Sequence, residues 1–393
     1  MERNPMKVIF DKEELLTALI PAASIAPGKN TIASIEGILF ECPGDEQGEC
    51  RITSYDMEKG LRTNIPAKIM SSGSFIINSQ NMLQIIRSMP AGEITVDIDE
   101  TNRAKITGGN SYFEINSIPG DNFPALPLLS GDRTYTLPQY VFRSLVLKTS
   151  FAIAQNSPKA FFNGVYFNIE NGFLKCVGCD GSRLGYAEYE LGEEGVEASF
   201  IVPGRILLET LKNIKDTEDD MQICLARKHV IFKVGEYVYF SRLIDGEYMN
   251  YKRVIPETYE RSAYINTETF LKAAERALIV TEDKLGGSSS KTFIKLEFEN
   301  NLLKISSAST GGSVYEEIPV SMDGSNLAIG FNCRYLVDAL KVAEEYDTVC
   351  VKMNGSLMGI CIEAADRGEE TEEKRKDPVK FTLFVMPLRM NGK

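Results

Sequence analysis

The chain has 393 residues, 43% hydrophobic and 25% charged, with a formal net charge of −12, eight cysteines, one histidine and no tryptophan. This length allows two to four domains of ordinary size, the composition is that of a soluble globular protein, and no run of about 18 apolar residues offers a membrane span. The acidic balance alone argues against a coat that sequesters nucleic acid, though it does not say where the charges lie.

The opening MERNPMKVIF lacks the apolar core of a signal peptide, so the cytoplasm is the expected compartment. The first periodic segment, EELLTALIPAASIA, ends at Ala26 and reads as a helix. IEGILFE and the pair within CRITSYDMEKGLRTNI follow, and their alternation and β-branched content predict strands. INSQNMLQIIR (77–87) predicts a second helix, and FPALP ends at Pro127. The same order then restarts: YVFRSLVLKTSFAIA to Ala154, FNGVYFNIE, LKCVGCDGSRLGYAEYEL, the helix VPGRILLETLK (202–212), and RVIP to Pro256. A third pass gives TFLKAAERALIVT to Thr281, FIKLEFEN, LKISSASTGGSVYEEIPV, the helix FNCRYLVDALK (331–341), and FVMP to Pro387.

The recurring helices end at Arg87, Lys212 and Lys341, 125 and 129 residues apart, and the prolines recur at 129 and 131. A period near 130 is too long for a solenoid unit and suits a domain. Three similar domains are therefore expected, 1–130, 131–259 and 260–393, with the polar stretches LLSGDRTYTLPQ and PETYERSAYINT as linkers. The three helices share one grammar. In the middle copy Leu207, Leu208 and Leu211 form an apolar stripe, and Arg205, Glu209 and Lys212 form the polar face. The corresponding polar faces are Gln80, Gln84 and Arg87 in the first copy and Arg334, Asp338 and Lys341 in the third. One such face is an ordinary solvated surface with local ion pairs. Three of them in domains packed head to tail would turn basic ends toward a common centre, where a phosphate backbone is a natural occupant.

CDGSRL (179–184), SRLIDGEYMNYKRVIP (241–256) and FVMPLRM (384–390), set in order on this threefold repeat, resemble the bacterial DNA polymerase III beta subunit family, the sliding clamps, from about Met6 to Met390. The resemblance implies an α+β fold of three clamp domains, each with two βαβββ-like halves, helices lining a hole and sheets outside, closed as a head-to-tail dimeric ring. It implies a processivity factor with no catalysis, cofactor or metal of its own. The implied partners are double-stranded DNA bound without sequence preference, a second copy of the chain, the polymerase III catalytic subunit, the clamp loader, and other polymerases and repair proteins carrying clamp-binding peptides.

By motif match, the resemblance implies a peptide pocket between the second and third domains, built from Phe162, Cys179, Gly181, Ser182, Arg183, Leu184, Met249, Arg253, Val254, Gly359, Val385, Met386, Pro387, Leu388, Arg389 and Met390. FTLFVMPL reads equally well as a final core strand. For DNA it implies Lys29, Asn156, Lys159 and Arg205, to which the helix faces add Arg87, Lys212, Arg334 and Lys341. For the dimer contact it implies Phe113 and Ile115 against Ile279 and Val280, residues that could instead be domain core. The chain departs from the commoner family pattern at Cys179 and Ser182, in the tail Asn391–Lys393, and in the charged stretch AADRGEETEEKRKDPVK (364–380).

Rival chemistry is thin. CVGC (Cys176, Cys179) has redox or half-zinc spacing, yet the remaining cysteines are scattered and read as reduced thiols. Residues three apart on a strand also face opposite sides. His229 in ARKHVIF has no HxxxH partner, and no phosphate-binding glycine motif is present. A repeat scaffold that binds peptides but not DNA is the second reading.

Overall fold

The computed structural model describes residues 6–44, 47–192, 196–281, 293–309, 312–365 and 377–389. The sequence period returns as a structural one. The first repeat runs β1 (Met6–Asp11), α1 (Lys12–Ile25), β2 (Gly37–Cys42), β3 (Gln47–Tyr55), β4 (Lys59–Ser71), then β5 (Gly73–Asn78), α2 (Ser79–Ser88), β6 (Glu93–Ile98), β7 (Arg103–Gly108), β8 (Ser111–Asn116) and the short β9 (Ile118–Pro119). The second runs β10 (Arg133–Pro138), α3 (Gln139–Ser150), β11 (Gly164–Glu170), β12 (Phe173–Cys179), β13 (Arg183–Glu190), then β14 (Ala198–Pro203), α4 (Gly204–Leu211), β15 (Asp220–Leu225), β16 (His229–Val234) and β17 (Tyr237–Arg242). The third runs β18 (Arg261–Asn266), α5 (Thr267–Thr281), β19 (Phe293–Glu299), β20 (Leu302–Ser309), β21 (Gly312–Pro319), a short β22 (Ser321–Asp323), then β23 (Leu327–Asn332), α6 (Cys333–Val342), β24 (Thr348–Met353), β25 (Ile360–Ala364) and β26 (Lys380–Val385). Each repeat is strand, helix and three strands, written twice.

β10 and β18 correct the linker expectation. Each fills the second half of a stretch read as linker, because only every other residue is buried. Tyr135 and Leu137 face inward on β10, Ala263 and Ile265 on β18, and the residues between them are polar or half-exposed. The apolar stripe of α4 also shifts. Ile206, Leu207 and Thr210 are buried while Leu208 is 47% exposed, since the inward arc of this short helix is centred one residue earlier.

The chain divides into two compact units, Met1–Tyr140 with Arg205–Leu243, and Val141–Gly204 with Ile244–Lys393. In the first, a 13-stranded sheet has the main order β10-β15-β16-β17-β4-β1-β6-β7-β8, so a strand of the second repeat continues the sheet of the first across the β17–β4 pairing. In the second, nine strands run β14-β11-β12-β13-β26-β25-β24-β18-β22, joined across β13–β26, beside a four-stranded sheet β21-β20-β19-β23. β8 pairs only with β7 and β21 only with β20 among the described strands.

The helices start on local signals. Asp11 accepts from the amides of Glu13 and Glu14 to cap α1, and Asn78 and Asn332 cap α2 and α6 in the same way. At the equivalent place before α4 the chain has Pro203, where β14 gives way to the helix. α1 packs on α2 in the first unit and α5 on α6 in the second. The connector after β9 packs against the core: half-buried Phe123, Leu126 and Leu129 cover Tyr55, Cys224, Ile231 and Phe240 on the sheet of the first unit.

Candidate functional site: a tyrosine-lined apolar patch, basic helix ends and two sheet edges

The second unit gathers most of the residues expected at the peptide pocket. Its seed is the β12–β13 hairpin. Asp180 Oδ1 accepts from the amides of Ser182 (2.8 Å) and Arg183 (3.1 Å), and Gly181 takes φ +92°, a left-handed conformation that disfavours a side chain. This tight turn delivers Cys179 and Leu184 to one buried cluster with Val177, Tyr251, Cys361 and Phe384. Phe162, Tyr166, Tyr186, Tyr248, Met249, Val254, Ile255 and Tyr259 pack against it. Register brings in the last strand. Arg183 lies opposite Val385 and Leu184 opposite Phe384; beyond β26 the Met386 amide donates to the Ser182 carbonyl (2.9 Å) and the Leu388 amide to the Gly330 carbonyl (2.8 Å). FTLFVMPL is therefore both a core strand and, past Val385, a rim.

Aromatic rings form one wall. Tyr166 stacks on Tyr248 at 4.8 Å, Tyr251 lies 5.9 Å from Tyr186, and Phe161 sits 4.4 Å from Phe162. The Tyr248 hydroxyl donates to the Val177 carbonyl (3.2 Å). A Cβ on Gly359 would strike the Phe384 ring, so a glycine there lets the 354–359 turn close over the strand end. Leu357, Met358 and Met386 are exposed at 66%, 48% and 42%. Methionine and leucine on such a rim provide an adaptable apolar surface.

Arg253 and Arg389 are exposed and Leu388 and Pro387 half-buried, while Met390 and Asn391–Lys393 lie outside the described residues, as does most of the charged stretch 364–380. Arg183 turns away from the aromatic wall. Its Nε donates to Asp180 Oδ2 (3.0 Å), its Nη1 to Asp338, and its guanidinium lies 4.5 Å over the Tyr335 ring. It fastens β13 to the polar face of α6. A buried cation was invisible in the sequence. Lys148, 2% exposed, donates to Asp377, to Glu345 (3.2 Å) and to Ser144 (2.7 Å), between the rings of Tyr346 and Phe381. It ties α3 to the start of β26.

Of the residues expected to meet DNA, the first unit carries Lys29, Arg87, Arg205 and Lys212, and the second carries Asn156, Lys159, Arg334 and Lys341; all are exposed. Among them, Lys212 pairs with Glu209 (2.6 Å) and Lys341 with Glu275 on α5 (3.0 Å). Glu209 also accepts from the Ser24 hydroxyl (2.6 Å), so the acid of this face is shared. Lys159 lies 5.7 Å over the Phe162 ring. Ion pairs this exposed contribute about 0–1 kcal/mol each and yield readily to a competing anion. At the expected dimer contact, Phe113 is 41% exposed and Ile115 half-buried on the edge strand β8, and Ile279 is 77% exposed and Val280 half-buried at the end of α5. The Val280 carbonyl accepts from Ser309 (2.8 Å), which seats that helix end on β20.

The two thiols of CVGC are not activated. Cys179 belongs to the aromatic cluster and Cys176 faces the other side of β12. Burial pushes Cys179 up to about 11 and Cys176 beyond the usual thiol range, the opposite of a reactive thiolate. His229 is shifted down by burial and by Arg242, opposite it in the ladder. Among the described residues no group of three or more His, Cys, Asp or Glu could hold a metal ion, and no helix is long and apolar enough to cross a membrane.

Three α+β repeats, each written as two strand–helix–three-strand halves, define a clamp fold. Family models of the DNA polymerase III beta subunit match residues 6–127 (N-terminal domain), 136–250 (central domain) and 252–372 (C-terminal domain). The chain belongs to the DNA polymerase III beta subunit family, the bacterial beta sliding clamps of DNA replication. It is 29% identical over 376 residues to the beta sliding clamp of Staphylococcus epidermidis, spanning 93% of this chain and 94% of that one. The solved DNA polymerase sliding clamp of Bacillus subtilis shares the fold at TM-score 0.88 and 24% identity, over 98% of this chain and 100% of that one. A sliding clamp from Pseudomonas aeruginosa bound to griselimycin shares it at TM-score 0.87, 24% identity and the same coverage.

Proposed function

We propose that the protein is a homodimeric ring that encircles duplex DNA and tethers the replicative polymerase and other clamp-binding proteins through the aromatic patch of the second unit. Its three clamp domains are 1–130, 131–259 and 260–393. It performs no chemistry of its own and works in the cytoplasm. The observation that carries this reading is the recurrence of one helix in each repeat, α2, α4 and α6, with an apolar inner face and a base in its last turn (Arg87, Lys341) or just past its end (Lys212). A tether that must hold DNA and still slide needs topological closure with weak, salt-screened contacts. The exposed ion pairs of Lys212 and Lys341 suit that need, and an acidic remainder keeps DNA off other faces.

Closure is assigned to the edges. An exposed edge strand with aromatic residues is a liability unless paired, and β8 in one copy against β21 and the end of α5 in another covers both. The peptide site is assigned to the patch around Cys179, Leu184, Met249, Val254 and the strand end at Val385 and Met386. A related clamp's capture of griselimycin is consistent with a small-ligand site on this fold. A buried apolar anchor contributes about 1.5–3 kcal/mol before ordering costs.

Reversing the charge of Arg205, Lys212, Arg334 and Lys341 together, followed by retention on circular DNA, tests the DNA assignment. Retention should vanish while the dimer and peptide binding persist. Retention that survives would favour the second reading, a peptide-binding scaffold that does not engage DNA. Removing residues 386–393 should leave an intact dimer that no longer stimulates polymerase.

A further inference from the structure

Two of the eight cysteines meet. Cys42 is the last residue of β2 and Cys50 lies within β3. The ladder pairs Leu39 with Thr53, Phe40 with Ile52 and Glu41 with Arg51, and the next step of that register sets Cys42 opposite Cys50. Their sulfur atoms stand 2.6 Å apart, well inside van der Waals contact. Both side chains are buried, and their other ladder neighbours are Gly73 for Cys42 and Ile65 for Cys50. Directly opposed residues of an antiparallel pair hold their Cα atoms ~4.5–5.5 Å apart, inside the ~4.4–6.8 Å window a disulfide needs. Cys176 and Cys179, by contrast, share one strand and face opposite sides.

We propose that Cys42 and Cys50 form a reversible cross-strand disulfide site, oxidised by a small hydroperoxide and restored by a dithiol. One thiolate attacks the peroxide O–O bond and becomes a sulfenic acid, and the displaced oxygen leaves as water. The second thiol then displaces the sulfenic oxygen, again as water, and the S–S bond forms. Two thiols and one hydrogen peroxide give one disulfide and two waters, the sulfurs losing two electrons and the oxygens gaining them. A dithiol reverses the step by thiol–disulfide exchange and is itself oxidised to its disulfide. Burial, with Cys42 alongside, holds the Cys50 thiol far above the ordinary thiol range. The reaction therefore proceeds through brief local separation of the two strands at Cys42 and Cys50, not from the closed sheet. The product closes the chain between residues 42 and 50 and locks the end of the β2–β3 hairpin.

The tryptic peptide 30–51 contains both cysteines and no others. After hydrogen peroxide treatment of the folded protein, alkylation in denaturant and non-reducing digestion, this peptide should be two hydrogens lighter than its reduced form and carry no alkyl group. Cleavage after Glu46 should leave its halves joined until dithiothreitol is added, and Cys42→Ala should abolish the link. Two alkyl groups on this peptide at every peroxide dose that leaves the protein folded, or sulfinic acid in place of the link, would overturn the assignment.

Discussion

At the scale of single residues, the second unit is held by groups whose burial leaves them little freedom. Lys148 is a buried ammonium satisfied by Asp377, Glu345 and Ser144. Removing one partner of such a set strands the other charge. Lys148→Met is expected to cost roughly 3–5 kcal/mol, read as a lower urea midpoint, and to loosen β26 where the apolar patch begins. The tyrosines set a pH limit. Burial raises Tyr186, Tyr248 and Tyr259 well above the ordinary tyrosine range and pushes Tyr251 up to about 12. In the unfolded chain these hydroxyls lose their protons near pH 10. Above that pH the unfolded state binds fewer protons than the folded one, so stability is full below about pH 10 and falls as pH rises through 12. A urea midpoint that stayed flat between pH 9 and 11 would contradict this, and Tyr248→Phe should make the fall shallower.

At the scale of elements, the helix–sheet contacts depend on small residues at fixed places. Gly178 and Gly185 face each other across β12–β13. A Cβ on either would lie 2.1 Å from the Thr149 carbonyl oxygen or 2.3 Å from that of Lys148. The end of α3 therefore rests on a glycine pair, which no side chain can replace without moving backbone. Gly178→Ala is expected to destabilise by about 1–3 kcal/mol through overpacking, measured by chemical denaturation, with Gly185→Ala behaving alike. The helices were legible in the sequence because each buries one stripe and carries polar residues opposite, as α2 and α6 do with Met82 and Ile86 or Leu336 and Leu340. β10 and β18 were not, because two inward side chains per strand leave a segment that reads as polar. Cys179, Leu184, Met249 and Val254, expected by resemblance, converge on one apolar cluster. The tyrosine wall was missed, although the alternation of GVYFNIE already marked Tyr166 and Phe167 as facing opposite sides of a strand.

At the scale of the whole molecule, the assembly is the quantity to measure. The proposed ring requires a species near twice 43.7 kDa in solution. Phe113→Asp on β8 or Ile279→Asp at the end of α5 replaces an exposed apolar contact with a charge that a buried interface cannot solvate. Either substitution is expected to shift sedimentation to the monomer while the circular dichroism spectrum stays unchanged. A dimer indifferent to both would place the interface elsewhere.

The sequence by itself determined the threefold period, the order of helices and strands within it, and the basic residue in or just past the last turn of each second helix. These are local properties, written in periodicity and in residue identity at fixed spacing. Only the tertiary structure decided which strands continue one another across the repeats, that Arg183 binds the α6 face instead of lining the aromatic patch, and that Cys42 meets Cys50. Such pairings join residues far apart in the chain, or fix a register that a shift of one residue would reverse. They depend on which surfaces bury together, and no local pattern records that.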